Sequence, residues 1–202
     1  MSRAALEVRI PVAVSARHVH LCPESIERLF GAGHRLRVHA MLGQPGQYAA
    51  EETVTVVGPK GRLEHVRVVG PERKADQVEL SRSDELAIGL DAPLRESGDL
   101  AGTPGVALEG PAGCVRLDRG VICSLRHLHT SQADAAALGL RDQQKVTISV
   151  RGAGRDIDFE SVVVRVSPDY RLELHLDTDE GNAAGIGLAP VHGRLRLEAP
   201  AR

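Results

Sequence analysis

Two hydrophobic patterns recur along the chain, each twice. Short apolar runs rich in β-branched residues, "PVAVSA" at 11–16 and "GVICSL" at 120–125, read as strands. Each runs directly into an Arg-His-X-His segment, "RHVH" at 17–20 and "RHLH" at 126–129. After the first copy, Ile26, Leu29 and Phe30 of "CPESIERLFG" recur at helical spacing, Pro23 suits the first helical position, and Gly31 and Gly33 end the helix. After the second, "TSQADAAALG" offers Thr130 or Ser131 as N-cap and Gly139 as the stop. Both copies therefore read as strand, His-X-His, short helix.

Downstream the copies stay in step. Residues 52–71, "ETVTVVGPKGRLEHVRVVGP", alternate, turn at Pro59-Lys60-Gly61 and alternate again, which predicts a β-hairpin. Residues 145–168 repeat this around Gly152 and Gly154. "DQVELSRSDELAIG" then matches "RLELHLDTDEGNAAGIG". Aligning Asp84 with Glu180, Ala87 with Ala183 and Gly89 with Gly185 sets Glu79 opposite His175. The chain reads as an internal duplication. Residues 89–113, rich in Gly, Pro and Asp, read as a linker with one short strand.

Composition narrows the choice of partners. A length of 202 residues suits two domains of about 100 each. Only 2% of residues are aromatic, so Val, Leu, Ile and Ala must fill the core. The net charge is −2, with no basic block and no aromatic–basic interleaving, which argues against nucleic acid and membrane surfaces as partners. No apolar run approaches membrane-spanning length, and "MSRAALEVRI" lacks the apolar stretch of a signal peptide. Cys22, Cys114 and Cys123 show no metal or redox spacing and fit a reducing cytoplasm.

The nine histidines are the unusual feature, and four of them lie in the repeats. Side chains at i and i+2 of a strand share a face, so each His-X-His can grip one metal ion. Alone the spacing is weak, and a pair of packed or surface histidines explains it as well. The duplication favours metal, because each half also supplies a third candidate ligand. His18, His20 and Glu79 form a two-histidine, one-glutamate set of the catalytic zinc kind, and His127, His129 and His175 form an all-histidine set. His34, His39, His65 and His192 lack partners at such spacing and read as ordinary surface or interface residues.

From about Pro11 to Gly187 the motifs "SARHVHL", "QPGQYAAEETV", "GPKG", "VRVVGPERKADQVELS", "APLRESGD", "SLRHLHT" and "HLDTDEGNA" resemble one family. It is that of the PduL-type phosphate propanoyltransferases, the phosphotransacylases of propanediol-utilising microcompartments. The resemblance implies interconversion of acyl-CoA and phosphate with acyl phosphate and CoA. It implies a mainly β fold of two small β-barrel domains capped by short α-helices, with two zinc ions per chain. It also implies a first barrel over 17–124 and a second over 125–195, the second joined by a swapped N-terminal strand, 6–16.

The resemblance assigns roles to residues. His18, His20 and Glu79 match the ligands of the zinc that also meets the CoA sulfur. His127, His129 and His175 match those of the second zinc, whose remaining positions take water or phosphate. Arg73 matches the arginine that meets phosphate, although from the residues alone it reads equally as a salt bridge with Glu72 or Asp76. Ser15, Arg67 and Asn182 fall where the family contacts CoA. Two positions depart from the pattern. Ala40 stands where Lys is common, with Arg37 and His39 as candidates to replace the missing cation, and Cys22 stands where Ser or Thr is more usual in the helix cap. Arg17 and Arg126 orient metal-bound groups or pack, and packing is the simpler reading. Asp177 and Asp179 either support imidazoles or cap the helix that follows.

The expectation is thus a zinc-dependent, cytoplasmic phosphate acyltransferase acting on propanoyl-CoA or acetyl-CoA by direct transfer. A hydrolase using the same metals would need water in place of phosphate, and Arg73 argues against it. A non-catalytic β-barrel module with structural zinc would be expected to use cysteines, and none falls among the ligands. Cys22 precedes Pro23 at a helix start, Cys123 lies in an apolar strand, and Cys114 has no candidate base beside it, so no cysteine reads as an acyl carrier. A homo-oligomer is compatible with the sequence. The ten residues before Pro11 are too few for a stable targeting helix, so association with a microcompartment shell through them is not expected.

Overall fold

The computed structural model describes residues 6–152 and 154–197. In chain order the first elements are β1 (Leu6–Ser15), β2 (His18–His20), α1 (Pro23–Phe30), β3 (Val38–Met41), β4 (Tyr48–Val57), β5 (Arg62–Gly70), β6 (Gln77–Leu80) and α2 (Arg82–Ile88). Three short strands follow, β7 (Leu94–Arg95), β8 (Val106–Glu109) and β9 (Cys114–Leu117). Then come β10 (Val121–Ser124), β11 (His127–Thr130), α3 (Gln132–Leu138), β12 (Lys145–Val150), β13 (Ile157–Val166), β14 (Glu173–Asp177), α4 (Thr178–Ala183) and β15 (Val191–Leu197). The mainly β architecture with short helices is the one expected. No helix among the described residues is long and apolar enough to cross a membrane.

The chain divides into two compact units, one of residues 16–125 and one combining the described residues up to Ser15 with those from Arg126 on. The latter closes a six-stranded barrel in the order β1-β14-β11-β13-β12-β15. The former is a nine-stranded sheet in the order β7-β10-β6-β2-β5-β4-β8-β9, with β3 on β4, curled into half of a barrel.

Pairing within each unit exposes the duplication. β2 lies between β5, parallel, and β6, antiparallel; β11 lies in the same way between β13 and β14. The strand preceding each His-X-His crosses over. β1 runs parallel to β14 in the barrel, whereas β10, its counterpart, runs parallel to β6 in the other unit.

Each His-X-His is anchored by the residue between its histidines. Val19 and Leu128 are fully buried, among Leu21, Val66, Val68, Val78 and Leu80 in one unit and Ile148, Val164, Leu174, Leu176 and Leu195 in the other. Alternation therefore turns the imidazoles away from the apolar core. Leu128→Ala should cost about 2–5 kcal/mol by leaving a cavity under β11. A thermal or urea melt of the variant measures it, and a melt like the parent's would show that the strand is anchored elsewhere.

The two arginines of the repeats have equivalent partners. Ser81 and Asp177 begin α2 and α4 with reciprocal capping boxes closed by Asp84 and Glu180. Arg17 Nη1 meets Asp84 Oδ1 at 2.5 Å, and Arg126 Nη1 meets Glu180 Oε1 at 2.7 Å. Each arginine thus ties the turn before its His-X-His to the helix after the third candidate ligand. Asp177 acts as a cap. α4 also packs closely on β1, since a Cβ at Gly181 would lie 2.7 Å from Val14 Cγ2.

Two local expectations differ from the structure. Residues 89–113 are not a linker with one strand. They contain β7 and β8, which pair with β10 and β4, and Ala92 and Val106 are buried. Their Gly and Pro residues bend the chain between ladder segments instead of freeing it. Cys22 occupies the N-cap of α1 without a side-chain cap bond. Asp76 takes over that task, accepting from Cys22 N–H at 2.8 Å and from Ser25 Oγ at 2.6 Å. Of the N-terminal segment expected to be too short for a helix, residues 6–10 lie in β1 and residues 1–5 lie outside the described residues.

Candidate metal centres

The register of β2 against β6 sets His18 directly opposite Glu79 and His20 opposite Gln77. Three side chains that are 12%, 3% and 8% exposed, those of His18, His20 and Glu79, converge there. His18 Nε2 lies 3.6 Å and His20 Nε2 3.5 Å from Glu79 Oε1, and the two Nε2 atoms are 3.2 Å apart. The far side of each ring is fixed by backbone. His18 Nδ1 donates to Ala16 C=O and His20 Nδ1 to Val69 C=O, both at 2.9 Å. A carbonyl can only accept, so Nδ1 carries the proton and Nε2 keeps its lone pair for the common point. This is the donor set and the outer hydrogen bonding that a zinc ion takes.

Electrostatics distinguish the two histidines. For His20 burial dominates and, with His18 and Arg73 adding to it, lowers the imidazole to about 4 against the pull of Glu79. Burial also acts most strongly on His18, but there Glu79 outweighs it and the net shift is upward. Burial alone would raise Glu79, yet the two histidines hold its carboxyl well below the usual range. The carboxylate is therefore charged and the His20 imidazole neutral at neutral pH, as metal ligands must be.

The other cluster repeats this one in the barrel. β11 against β14 sets His127 opposite His175 and His129 opposite Glu173. Ligand atoms of His127, His129 and His175 all lie within 4.8 Å of one another, as do those of His18, His20 and Glu79. Ring centroids are 4.5–5.1 Å apart, and His129 stacks on Tyr170 at 4.1 Å. Glu173 Oε2 accepts from His175 Nε2 at 2.7 Å, leaving the other ring nitrogen as a possible donor to metal. Both triplets could hold a metal ion, and both fit zinc in ligand type.

The remaining expected site residues fall in different places. Arg73 follows β5, acts electrostatically on both His18 and His20, and donates from Nη1 to Ser97 Oγ at 2.8 Å. Arg67 is in register with His18 on β5, its guanidinium bonded to the Ala50 and Glu51 carbonyls. Ser15 ends β1 opposite Asp177, and Asn182 is exposed on α4. Ala40 is exposed on β3; of its neighbours, Arg37 is engaged by Glu51 at 2.7 Å and His39 is exposed. His34, read as an ordinary residue, pairs with the buried Glu52 at 2.9 Å.

Three residues near the first triplet lie inside motifs that carry the family resemblance, which assigns them no role. Gln77 donates to Glu79 Oε1 at 2.5 Å, and Ser124 Oγ donates to Glu79 Oε2 at 3.0 Å. Ser97 belongs to the stretch that reads as a linker. The duplication held one clue: Gln77 and Glu173 both stand two residues before the third ligand.

Comparison with known proteins identifies the family. The family model for phosphate propanoyltransferase matches residues 11–187. The phosphate propanoyltransferase of Thermotoga maritima is 51% identical over 178 residues, covering 88% of this chain and 85% of that protein. That of Salmonella typhimurium is 51% identical over 186 residues, covering 92% and 88%. That of Shewanella putrefaciens is 47% identical over 188 residues, covering 93% and 89%. With both triplets inside the matched region, the chain belongs to the phosphate propanoyltransferase family, and it is an acyltransferase.

Proposed function

We propose that this chain transfers a short acyl group, propanoyl or acetyl, between CoA and phosphate by direct attack in a ternary complex, using two zinc ions. His18, His20 and Glu79 would hold one ion and His127, His129 and His175 the other. Zinc so held would supply positive charge for the carbonyl and phosphate oxygens and affinity for the departing thiolate. The observation that carries the reading is the pair of ligand triplets at equivalent places in a duplicated fold, one of them beside Arg73.

The chain's own residues account for the rest. Arg73 offers planar, paired donors to phosphate, a geometry Lys cannot reproduce. Ser15, Arg67 and Asn182 contact CoA. A phosphate oxygen forms a bond to the thioester carbonyl carbon, the C–S bond breaks, and its electron pair leaves with sulfur as the CoA thiolate. The enzyme works in the cytoplasm, in keeping with three cysteines that form no disulfide.

Direct transfer is favoured because neither the three cysteines nor Ser97, the serine beside Arg73, is set up as an acyl carrier. Cys123 is buried in β10, Cys114 is exposed on β9, and Cys22 faces Ser25 at the start of α1. Ser97 is the serine beside Arg73, but the groups bonded to its hydroxyl, Arg73 and Gln77, are donors and neither is the base that a serine nucleophile needs. Replacing all three cysteines by Ser should leave kcat within about tenfold, a barrier change near 1.4 kcal/mol. Initial-rate lines against both substrates should intersect. Parallel lines with an acylated side chain trapped by mass spectrometry would replace direct transfer by an acyl-enzyme route.

A further inference from the structure

Both polar atoms of the Gln77 carboxamide face the first triplet or the loop beside it. It is 2% exposed. Its Nε2 donates to Glu79 Oε1 at 2.5 Å and to Ser97 Oγ at 2.9 Å, while its Oε1 accepts from Gly98 N–H at 2.8 Å. A carboxylate can only accept and a backbone N–H can only donate, so the amide cannot turn over without losing both ends. Ser97 Oγ in turn accepts from Arg73 Nη1 at 2.8 Å. An unbroken chain of hydrogen bonds thus joins a candidate metal ligand to the candidate phosphate clamp.

The other half of the fold shows what this position is for. Glu173 is the counterpart of Gln77, opposite His129 as Gln77 is opposite His20. There the third ligand is an imidazole, and Glu173 offers it an acceptor at 2.7 Å. Here the third ligand is a carboxylate, and Gln77 offers it a donor. The polarity of the supporting side chain has changed with that of the ligand. A residue conserved in place for packing alone would not need to follow the ligand in this way. The Gln77 copy continues outward, through Ser97, to Arg73.

We infer that Gln77 is a positioning residue that orients the Glu79 carboxylate and, through the Ser97 hydroxyl, sets the Arg73 guanidinium at a fixed place beside it. Phosphate bound by Arg73 is then held in register with the first triplet, and the loop of residues 96–98 becomes part of the phosphate site. The inference rests on the phosphate role proposed for Arg73 and on zinc at Glu79, and it divides into two arms that can fail separately.

The test uses the zinc-loaded full chain and three variants. Gln77→Met keeps the length and packing of the side chain and removes its hydrogen bonds. It should raise the KM for phosphate and also weaken retention of zinc against a chelator by about 10–100-fold, the usual effect of losing an outer-shell partner. Ser97→Ala should raise the phosphate KM by about tenfold and leave zinc retention unchanged, with the acyl-CoA KM within about twofold. Ser97→Thr retains the accepting oxygen and should restore the phosphate KM to within about threefold of the parent. Wild-type zinc retention in a folded Gln77→Met overturns the tie to Glu79, whatever Arg73 does. A wild-type phosphate KM in Ser97→Ala, where Arg73→Ala does raise it, overturns the tie to Arg73 and leaves the phosphate role standing. If Arg73→Ala itself leaves the phosphate KM unchanged, the phosphate role falls and that arm falls with it. Loss of kcat by about a thousandfold in Ser97→Ala with its KM values intact would make Ser97 a nucleophile instead.

Discussion

Glu79→Ala and His127→Ala should each leave the protein with about one zinc equivalent instead of two and lower turnover by about a thousandfold or more. The two losses come from different units of the fold, so each variant should keep the metal of the other triplet. Glu79 stands to lose most. Its carboxylate is the only charged ligand among the six, and it holds His18 and His20 by its charge at 3.6 and 3.5 Å. Without it His18 loses the influence that raises its pKa, and the two neutral rings face each other with Nε2 atoms 3.2 Å apart and no anion to balance a cation. Elemental analysis of the purified variants, alongside a melt to establish folding, reads the outcome. A fully active Glu79→Ala, or a parent protein that saturates at one metal, would remove the two-centre account.

Arg73→Ala should raise the KM for phosphate by about a hundredfold or more while changing that for acyl-CoA little, because a charge-assisted bidentate contact is lost from one substrate only. Arg73→Lys should recover little, since an ammonium cannot offer the paired N–H groups. The surroundings of Arg73 are compatible with this prediction. Of the two acids weighed as salt-bridge partners, Asp76 is engaged with the start of α1 through Cys22 and Ser25. Arg73 is directed by Ser97 and lies close enough to the first triplet to influence both of its histidines. Steady-state kinetics with each substrate varied in turn would separate the two constants, and an equal rise in both would point to a general structural role.

What the sequence revealed and what it hid have a physical division. The triplets were legible because the duplication aligned Glu79 with His175; the structure adds the strand register, which places each opposite the first histidine of its pair. The hairpins and helices were legible because turns, caps and alternation are local signals. Residues 89–113 were misread because Gly and Pro mark both a loose linker and a chain that bends repeatedly between short ladders; only the partner strands β4 and β10 distinguish the two. The roles of Gln77, Ser97 and Ser124 were not legible for a related reason. Each acts through one hydrogen bond or two to residues that only folding brings near, and such contacts leave no periodicity. The roles of Arg17 and Arg126 emerged only when Asp84 and Glu180 were seen to occupy the same place in two capping boxes.

The central claim is that phosphate is the acceptor of the acyl group. Its most direct test follows free thiol and acyl phosphate together when the zinc-loaded protein is given propanoyl-CoA, with and without phosphate. The account predicts thiol release that depends strictly on phosphate and is matched mole for mole by propanoyl phosphate. Thiol released at the same rate without phosphate, with propanoate as the product, would contradict it and make the protein a thioesterase.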